Sequence, residues 1–508
     1  MKPQLNRRTI FLVIACIGIL LAACQTPIPT ITPAPTSGSP QPFDVAWDDR
    51  SLFSEGLISS EQDVLAELPD ATVYHIDISI ADDLLSLDGR QELRYTNAED
   101  EPLDELYFRL FPNLMGGTVT VAGVQVDGED VTPSLKSADS ALRVSLPDTL
   151  EPGESIEVSL GFDVAMPQEM AGNSGLFGYF EDVLVLDEFY PVIPVFDDEG
   201  WNVEIPSQNG DITYLDASFY LVRVSVPADL TVVAAGTEVG REYDGYRQTL
   251  TFAAGPARTF YLAASDRFTE VSEQVGETRI RSYAFSDRRE GAELAAGVTA
   301  NALRSFNQRF GVYPYTEFDI ASTPMTALGI EYPGMTGIAL NLYDAEAEVL
   351  GLPSQIILES TVAHEVAHQW FYNVVGNDQV DDPWLDEAVV QYATGLYYRD
   401  TYDESAERLY RSSWDDRWGR VDHADIPIGL PTGAYEGSEY GAIVYGRGPI
   451  FVATLEDEIG KETFDAFMRD YYQSHQWGIG TGDAFQRLAE EHCQCDLSDL
   501  FADWVYAN

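Results

Sequence analysis

Residues 364–370 read HEVAHQW, and Glu387 follows nineteen positions after the second histidine. The run from Ser354 to Val375 has the composition of one long helix. On an α-helix, His364 and His368 are i and i+4, so both imidazoles leave the same face one turn apart. Two neutral ring nitrogens at that spacing hold one zinc ion. Glu365 is rotated from His364 by about 100°. It flanks the metal without ligating it, the place for a carboxylate that takes a proton from a metal-bound water. Asp382 and Pro383 read as the N-cap and first turn of a second helix, DPWLDEAVVQYATGLYYRD, which places Glu387 one turn in, facing the first helix. His364, His368, Glu387 and a water make a three-ligand site with an open fourth position. That is a catalytic rather than a structural zinc, one Zn2+ per chain.

The start of the chain reads as an export signal. Lys2, Arg7 and Arg8 form a basic region, and Ile10 to Ala23 an apolar stretch of fourteen residues. That is shorter than the ~20 residues of a membrane span. It stops at Leu21-Ala22-Ala23-Cys24, which resembles a bacterial lipobox with Cys24 as the lipidated first residue of the mature protein. Residues 1–23 are therefore the expected signal peptide. Residues 24–45, rich in Pro, Thr and Ser, are the expected extended tether holding the folded part off a membrane. The expected location is extracytoplasmic, lipid-anchored to the bacterial envelope.

The chain has 84 acidic and 29 basic residues, a net charge of −55. Beyond the leader, lysine occurs only at 136 and 461. Such a surface repels a phosphate backbone, so nucleic acid is excluded as a partner. A self-repelling surface also suits a high-salt habitat, where charges are screened. Of the four cysteines, Cys16 and Cys24 belong to the leader. Cys493 and Cys495 cannot make a four-ligand zinc site; a local disulfide and two surface thiols are equally compatible with one intervening residue.

Between these landmarks the grain of the chain changes once. Residues 46–267 alternate apolar and polar in VYHIDISI, QELRYTN, ELYFRLFPN, ALRVSLP, SIEVSLGFDV, YLVRVSVP and QTLTFAAG, punctuated by Asp, Gly, Pro and Asn. That predicts an antiparallel β-rich domain, preceded over 43–70 by a short polar lead-in. Residues 268–508 are mixed and mainly α. A helix is expected over GAELAAGVTANALRSFNQRFG, strands over TRIRSYAF, FDIASTP and TGIALNL, and further helices over 441–460, 461–476, 481–492 and the C-terminus. The fold class is α+β with two domains.

HEVAHQW, the eighteen-residue gap to Glu387 and PWLDEAVVQY resemble the M1 family of zinc aminopeptidases, the gluzincins that include aminopeptidase N and leukotriene A4 hydrolase. YFRLFPN, FYPVIPVFDDEGWN and YLVRVSVPADLTVVAAGT resemble the family's N-terminal β-domain, and the resemblance covers nearly the whole mature chain. Leu328 to Gly334 falls where the family has its Gly-x-Met-Glu-Asn signature, thirty-three residues before His364. Val444-Tyr445-Gly446-Arg447-Gly448 resembles its Tyr-x-Lys-Gly element, fifty-eight residues after Glu387.

The resemblance implies a thermolysin-like catalytic domain in which His364, His368 and Glu387 bind zinc. It implies that Glu365 is general base and then acid, that Glu331 captures the free α-amino group, and that Tyr445 donates to the oxyanion. Gly329, on an exposed strand edge, would pair with substrate backbone. The implied partners are peptides with a free amino terminus. This sequence departs from the family's pattern at Leu328, Ile330 and Tyr332 in the signature, at Asp386-Glu387-Ala388 and at Arg447. No counterpart of the family's C-terminal helical domain follows WVYAN, which implies an open cleft. The alternatives are a zinc endopeptidase and a non-catalytic surface binding protein on the same fold.

Overall fold

A computed structural model describes residues 40–170 and 173–506. The expected signal peptide, Cys24 and residues 25–39 of the expected tether lie outside them. Alternation becomes sheet where it was expected. The strand Ser155–Ala165 keeps Ile156, Val158, Leu160, Phe162 and Val164 buried, with its other face partly or fully in solvent. It belongs to an eight-stranded sheet ordered 237–243, 247–257, 218–227, 73–80, 86–96, 155–165, 118–126 and 129–130. The sheet is not purely antiparallel, because Val73–Ile80 and Ser218–Pro227 run parallel, Ile76 opposite Val222. Both strands are central and buried, the usual setting for a parallel pair.

A four-stranded sheet (231–234, 262–265, 183–186, 177–180) joins the two halves. Its strand Val183–Leu186 is buried on both faces. Leu184 and Leu186 face the N-terminal β-core, and Val183 and Val185 pack with Phe268, Tyr283, Tyr332 and Met335 of the following half. A period of two on a doubly buried strand is what lets one short element serve two cores. The lead-in is not merely polar, since Phe53 is buried with Val73, Phe219 and Leu221 of the N-terminal half, and Leu57 and Val64 are buried in the core of the second half.

The second half opens with a five-stranded sheet ordered 268–275, 278–285, 317–323, 335–339 and 329–332. The helix Arg289–Arg309 crosses between the parallel strands 278–285 and 317–323, as a parallel connection requires. Gly329–Tyr332 is the edge strand, paired on one side only, with Met335–Ala339. The helices 461–474, 482–493 and 498–504 lie close to expectation. Glu404–Trp418 is a further helix, capped by Asp403. Cys493 and Cys495 are joined as a disulfide.

Three local expectations are corrected. The histidine helix spans Ser354–Ala367 and does not reach Val375. Tyr372 has φ +131°, outside any helical conformation, and the carbonyls of Tyr372, Asn373 and Val374 turn toward Arg258. The Glu387 helix begins at Glu387 itself, because Asp386 and not Asp382 caps it, accepting from the Glu387 amide. The expected continuous helix over 441–460 contains a π-helical turn at Ile443–Arg447 before the α-helix Gly448–Ile459. There Gly446 lies so close to the Glu404–Trp418 helix that a Cβ would stand 2.8 Å from the Trp418 amide nitrogen.

Arg258, 2 % exposed, fastens the N-terminal sheet to the chain that leaves the histidine helix. It donates to the carbonyls of Leu215 (3.2 Å), Tyr372 (3.1 Å), Asn373 (3.0 Å), Val374 (3.4 Å) and Gly478 (2.6 Å). Replacing it by methionine leaves these acceptors buried and unpaired. The expected cost is at least ~3 kcal/mol of unfolding free energy, read from denaturant titration, with no rescue by Arg258→Lys, which lacks the planar five-donor fork.

Candidate functional site

The end of one helix and the beginning of another meet at the site. His364 lies in the last turn of the histidine helix and His368 at its C-cap. Glu387 is the first residue of the next helix. His364 Nε2 lies 3.1 Å from Glu387 Oε2 and 3.2 Å from His368 Nε2, and His368 Nε2 lies 3.7 Å from Glu387 Oε2. The two rings stand edge to face, at 89°. Donor atoms each about 2.0–2.1 Å from one tetrahedral ion are spaced by roughly 3.4 Å, so this triangle fits such an ion.

His368 Nδ1 lies 3.2 Å from the carbonyl of Phe371. Donation there fixes the tautomer and turns the Nε2 lone pair toward the triangle. Burial drives the His368 pKa down to about 3, so the ring is neutral. Burial would raise Glu387, but the hydrogen bond from His364, the two imidazoles and the Tyr445 hydroxyl outweigh it and hold this carboxyl below its usual range. A neutral nitrogen at His368 and an ionised oxygen at Glu387 are the forms in which such groups bind metal.

Glu365, buried beside the triangle, is pushed well above the ordinary glutamate range by burial and then by Glu387 and Asp211. Gly329 of the edge strand presses directly on it; a side chain at 329 would overlap the Glu365 carboxylate. Tyr445, in the π-helical turn, donates its hydroxyl to Glu387 Oε1. Glu331, on the same edge strand as Gly329, is 6 % exposed, with Oε1 4.0 Å from His368 Nδ1. Gln379 Nε2 bridges Glu331 Oε1 (3.2 Å) and Asp386 Oδ2 (2.9 Å), separating two carboxylates that would otherwise repel. Gln369 ties the strand to the helix end, donating to the Tyr332 carbonyl and accepting from the Gly334 amide.

The structure thus gathers His364, His368, Glu387, Glu365, Tyr445, Glu331 and Gly329 around one cleft of about 480 Å³. A second cavity of about 730 Å³ shares Gly210, Asp211 and Glu331 with it. Arg447 is elsewhere in role: buried, it donates to the carbonyls of Ile426, Asp503 and Trp504 and pins the C-terminal helix. Sequence reasoning passed over Gln379 and Asp211. Both lie in irregular segments with no periodicity to mark them, and one acid among 84 carries no signal.

Residues 294–504 match the model of the Peptidase family M1 domain. The chain is 25 % identical over 280 residues to Aminopeptidase 2 of Candida albicans, covering 53 % of this chain and 30 % of that one. It is 24 % identical over 306 residues to Aminopeptidase M1 of Arabidopsis thaliana, covering 56 % and 34 %. The chain spans about a third of the length of the curated relatives it matches. Among solved structures it resembles the M1 zinc metallopeptidase from Deinococcus radiodurans, with TM-score 0.66 and 21 % identity, covering 90 % of this chain and 95 % of that one. A variant of that metallopeptidase bound to a Tyr-Ser-Ala substrate is similar at TM-score 0.65 and 20 % identity, covering 90 % and 95 %.

Gly329→Ala is expected to lower unfolding free energy by ~1–3 kcal/mol, because the new methyl must displace Glu365 or the edge strand. Gly329→Val should cost more. Thermal and denaturant midpoints check this; an alanine variant as stable as the wild type would show that the strand yields freely.

Proposed function

This chain carries a peptidase family M1 domain over residues 294–504, and we propose that it is a zinc-dependent aminopeptidase that hydrolyses the amino-terminal peptide bond of peptides. The observation that carries the reading is the place of Glu331. A buried carboxylate only 4.0 Å from a histidine of the donor triangle, on the wall shared by both cavities, can hold an amino terminus close to the reacting carbonyl. A charge-assisted grip at that point leaves room for one residue before the scissile bond, and this is what separates an exopeptidase from an endopeptidase.

His364, His368 and Glu387 would hold the zinc. When bound, zinc lowers the pKa of a coordinated water to about 7 and polarises the substrate carbonyl. Glu365 supplies the base. Its elevated affinity for a proton suits a group that first accepts one from water and then delivers it to the leaving amine. Tyr445 holds a phenolic hydrogen at the rim of the triangle, now given to Glu387, and a small turn of the phenol offers it to a developing oxyanion. Gly329, on the open side of the edge strand, presents backbone for a substrate to pair with. Solved neighbours of this fold include one bound to a Tyr-Ser-Ala substrate, which supports peptides as the substrate class. The leader supports action outside the cytoplasm, with the chain anchored through lipid on Cys24. Mass spectrometry of the mature amino terminus tests this, and an unmodified cysteine would sink it.

Glu365→Gln is expected to lose 10²–10⁴-fold in kcat, with bound zinc unchanged at one per chain. His364→Ala and His368→Ala should lose the metal itself, measured by elemental analysis after dialysis. Tyr445→Phe should fall by about 10²-fold in kcat, with little change in KM. The decisive comparison is between an amino-acid anilide and its N-acetyl derivative. The blocked compound should be inert, and equal cleavage of both would remove the aminopeptidase assignment in favour of an endopeptidase.

A further inference from the structure

The 730 Å³ cavity beyond Glu331 has a composition that the reaction itself does not explain. Among the described residues its walls include Asp187, Glu188, Asp211 and Glu331, and no arginine, lysine or histidine. Asp187 is 4 % exposed and lies beside the Tyr332 phenol. Glu188 is 1 % exposed; its Oε1 accepts from Thr259 (2.5 Å), while Oε2 is buried without a hydrogen-bond partner. A carboxylate oxygen taken out of water and left unpaired is costly, and proteins retain such groups where a ligand completes them. Burial holds the Asp187 carboxyl up at about 7, the direction expected of an acid that lacks a counter-charge. The rest of the wall is mixed: Met115, Leu176, Ile330 and Tyr372 give it apolar surface, and Asn173, Gln208 and Thr213 are among its polar side chains.

Apolar wall residues beside two buried acids, one with an unpaired oxygen at Glu188 and neither facing a cation, fit a side chain with a methylene stem and a cationic end. If Glu331 holds the amino group and the peptide backbone runs toward Glu365 and Tyr445, the side chain of the first residue has this cavity as its remaining space. We propose that the cavity selects substrates whose first residue is arginine or lysine, the stem lying against Met115, Leu176 and Tyr332 and the cation against Asp187 and Glu188. The assignment rests on the aminopeptidase reading in one respect, the grip of Glu331 on the amino end. Asp211, on the wall common to both cavities, adds to the negative field at the entrance.

Two measurements test it. The first is kcat/KM for arginine, lysine, norleucine and glutamate anilides with the wild type, Asp187→Asn and Glu188→Gln. The second is calorimetric binding of free L-arginine and L-norleucine to the same proteins. Arginine and lysine anilides should exceed norleucine at least about tenfold, and glutamate anilide should be the poorest. Each variant should shrink the arginine-to-norleucine ratio by about tenfold, in turnover and in binding, whereas a merely structural effect lowers both substrates alike and leaves the ratio intact. Norleucine cleaved as well as arginine, or a ratio unmoved in both variants, would overturn the cationic assignment and leave the aminopeptidase reading standing. Preferential arginine binding that both variants abolish, with no anilide cleaved, would uphold the cavity and sink the activity.

Discussion

Like charges held together out of water are the constraint on which this structure turns. Glu331, Glu365, Asp386 and Glu387 are all buried within one small region of a chain whose net charge is −55. In a low-dielectric interior such groups repel strongly, and burial and mutual repulsion raise Glu331, Glu365 and Asp386 above their normal range. Three of these carboxylates, Glu331, Asp386 and Glu387, have specific neighbours. Gln379 lies between Glu331 and Asp386, Asp386 caps the helix that Glu387 begins, and Glu387 takes hydrogen bonds from His364 and Tyr445. A divalent cation in the donor triangle would relieve the remaining repulsion, so metal affinity and the stability of the site are linked.

The positions of these groups are set by elements that have no chemistry of their own. The histidine helix ends at Ala367, and in the chain that follows the carbonyls of Tyr372, Asn373 and Val374 are captured by Arg258 from the other half of the molecule. That early end places His368 at the helix terminus, free to point its Nδ1 at Phe371 and its Nε2 at Glu387. Gln369, the next residue, holds the edge strand that carries Gly329 and Glu331. The absence of a side chain at Gly329 lets that strand lie against Glu365. A single short segment, 367–374, thereby registers the N-terminal sheet, the edge strand and the donor triangle against one another.

The proposed selectivity would come from the N-terminal half. Asp187 and Glu188 directly follow the strand whose two faces serve two cores, so their position is as rigid as the packing of Leu184 and Val185. Groups mounted on packed elements keep their geometry when a substrate arrives, and unpaired charge can be retained there without collapse of the cavity.

HEVAHQW and Glu387 made the donor set legible from the amino-acid order alone, because an i,i+4 pair needs only a helix to share a face. Strict alternation in VYHIDISI and SIEVSLGFDV likewise announced strands, whereas after residue 268 two more strands, 268–275 and 278–285, precede the first long helix at Arg289. The resemblance carried by Glu331 and Tyr445 pointed to residues that the fold does bring to the cleft. Other features were decided only by tertiary structure. The parallel pairing of 73–80 with 218–227 joins strands far apart in the chain. The path of the chain leaving the histidine helix depends on Arg258, the π-helical turn at Tyr445 goes with close packing at Gly446, and the acidic cavity is made where the segments of Asp187 and Asp211 meet the edge strand of Glu331. Local periodicity records which face of an element is buried; it holds no information about which distant side chain will meet that face, and chemistry here is made at those meetings.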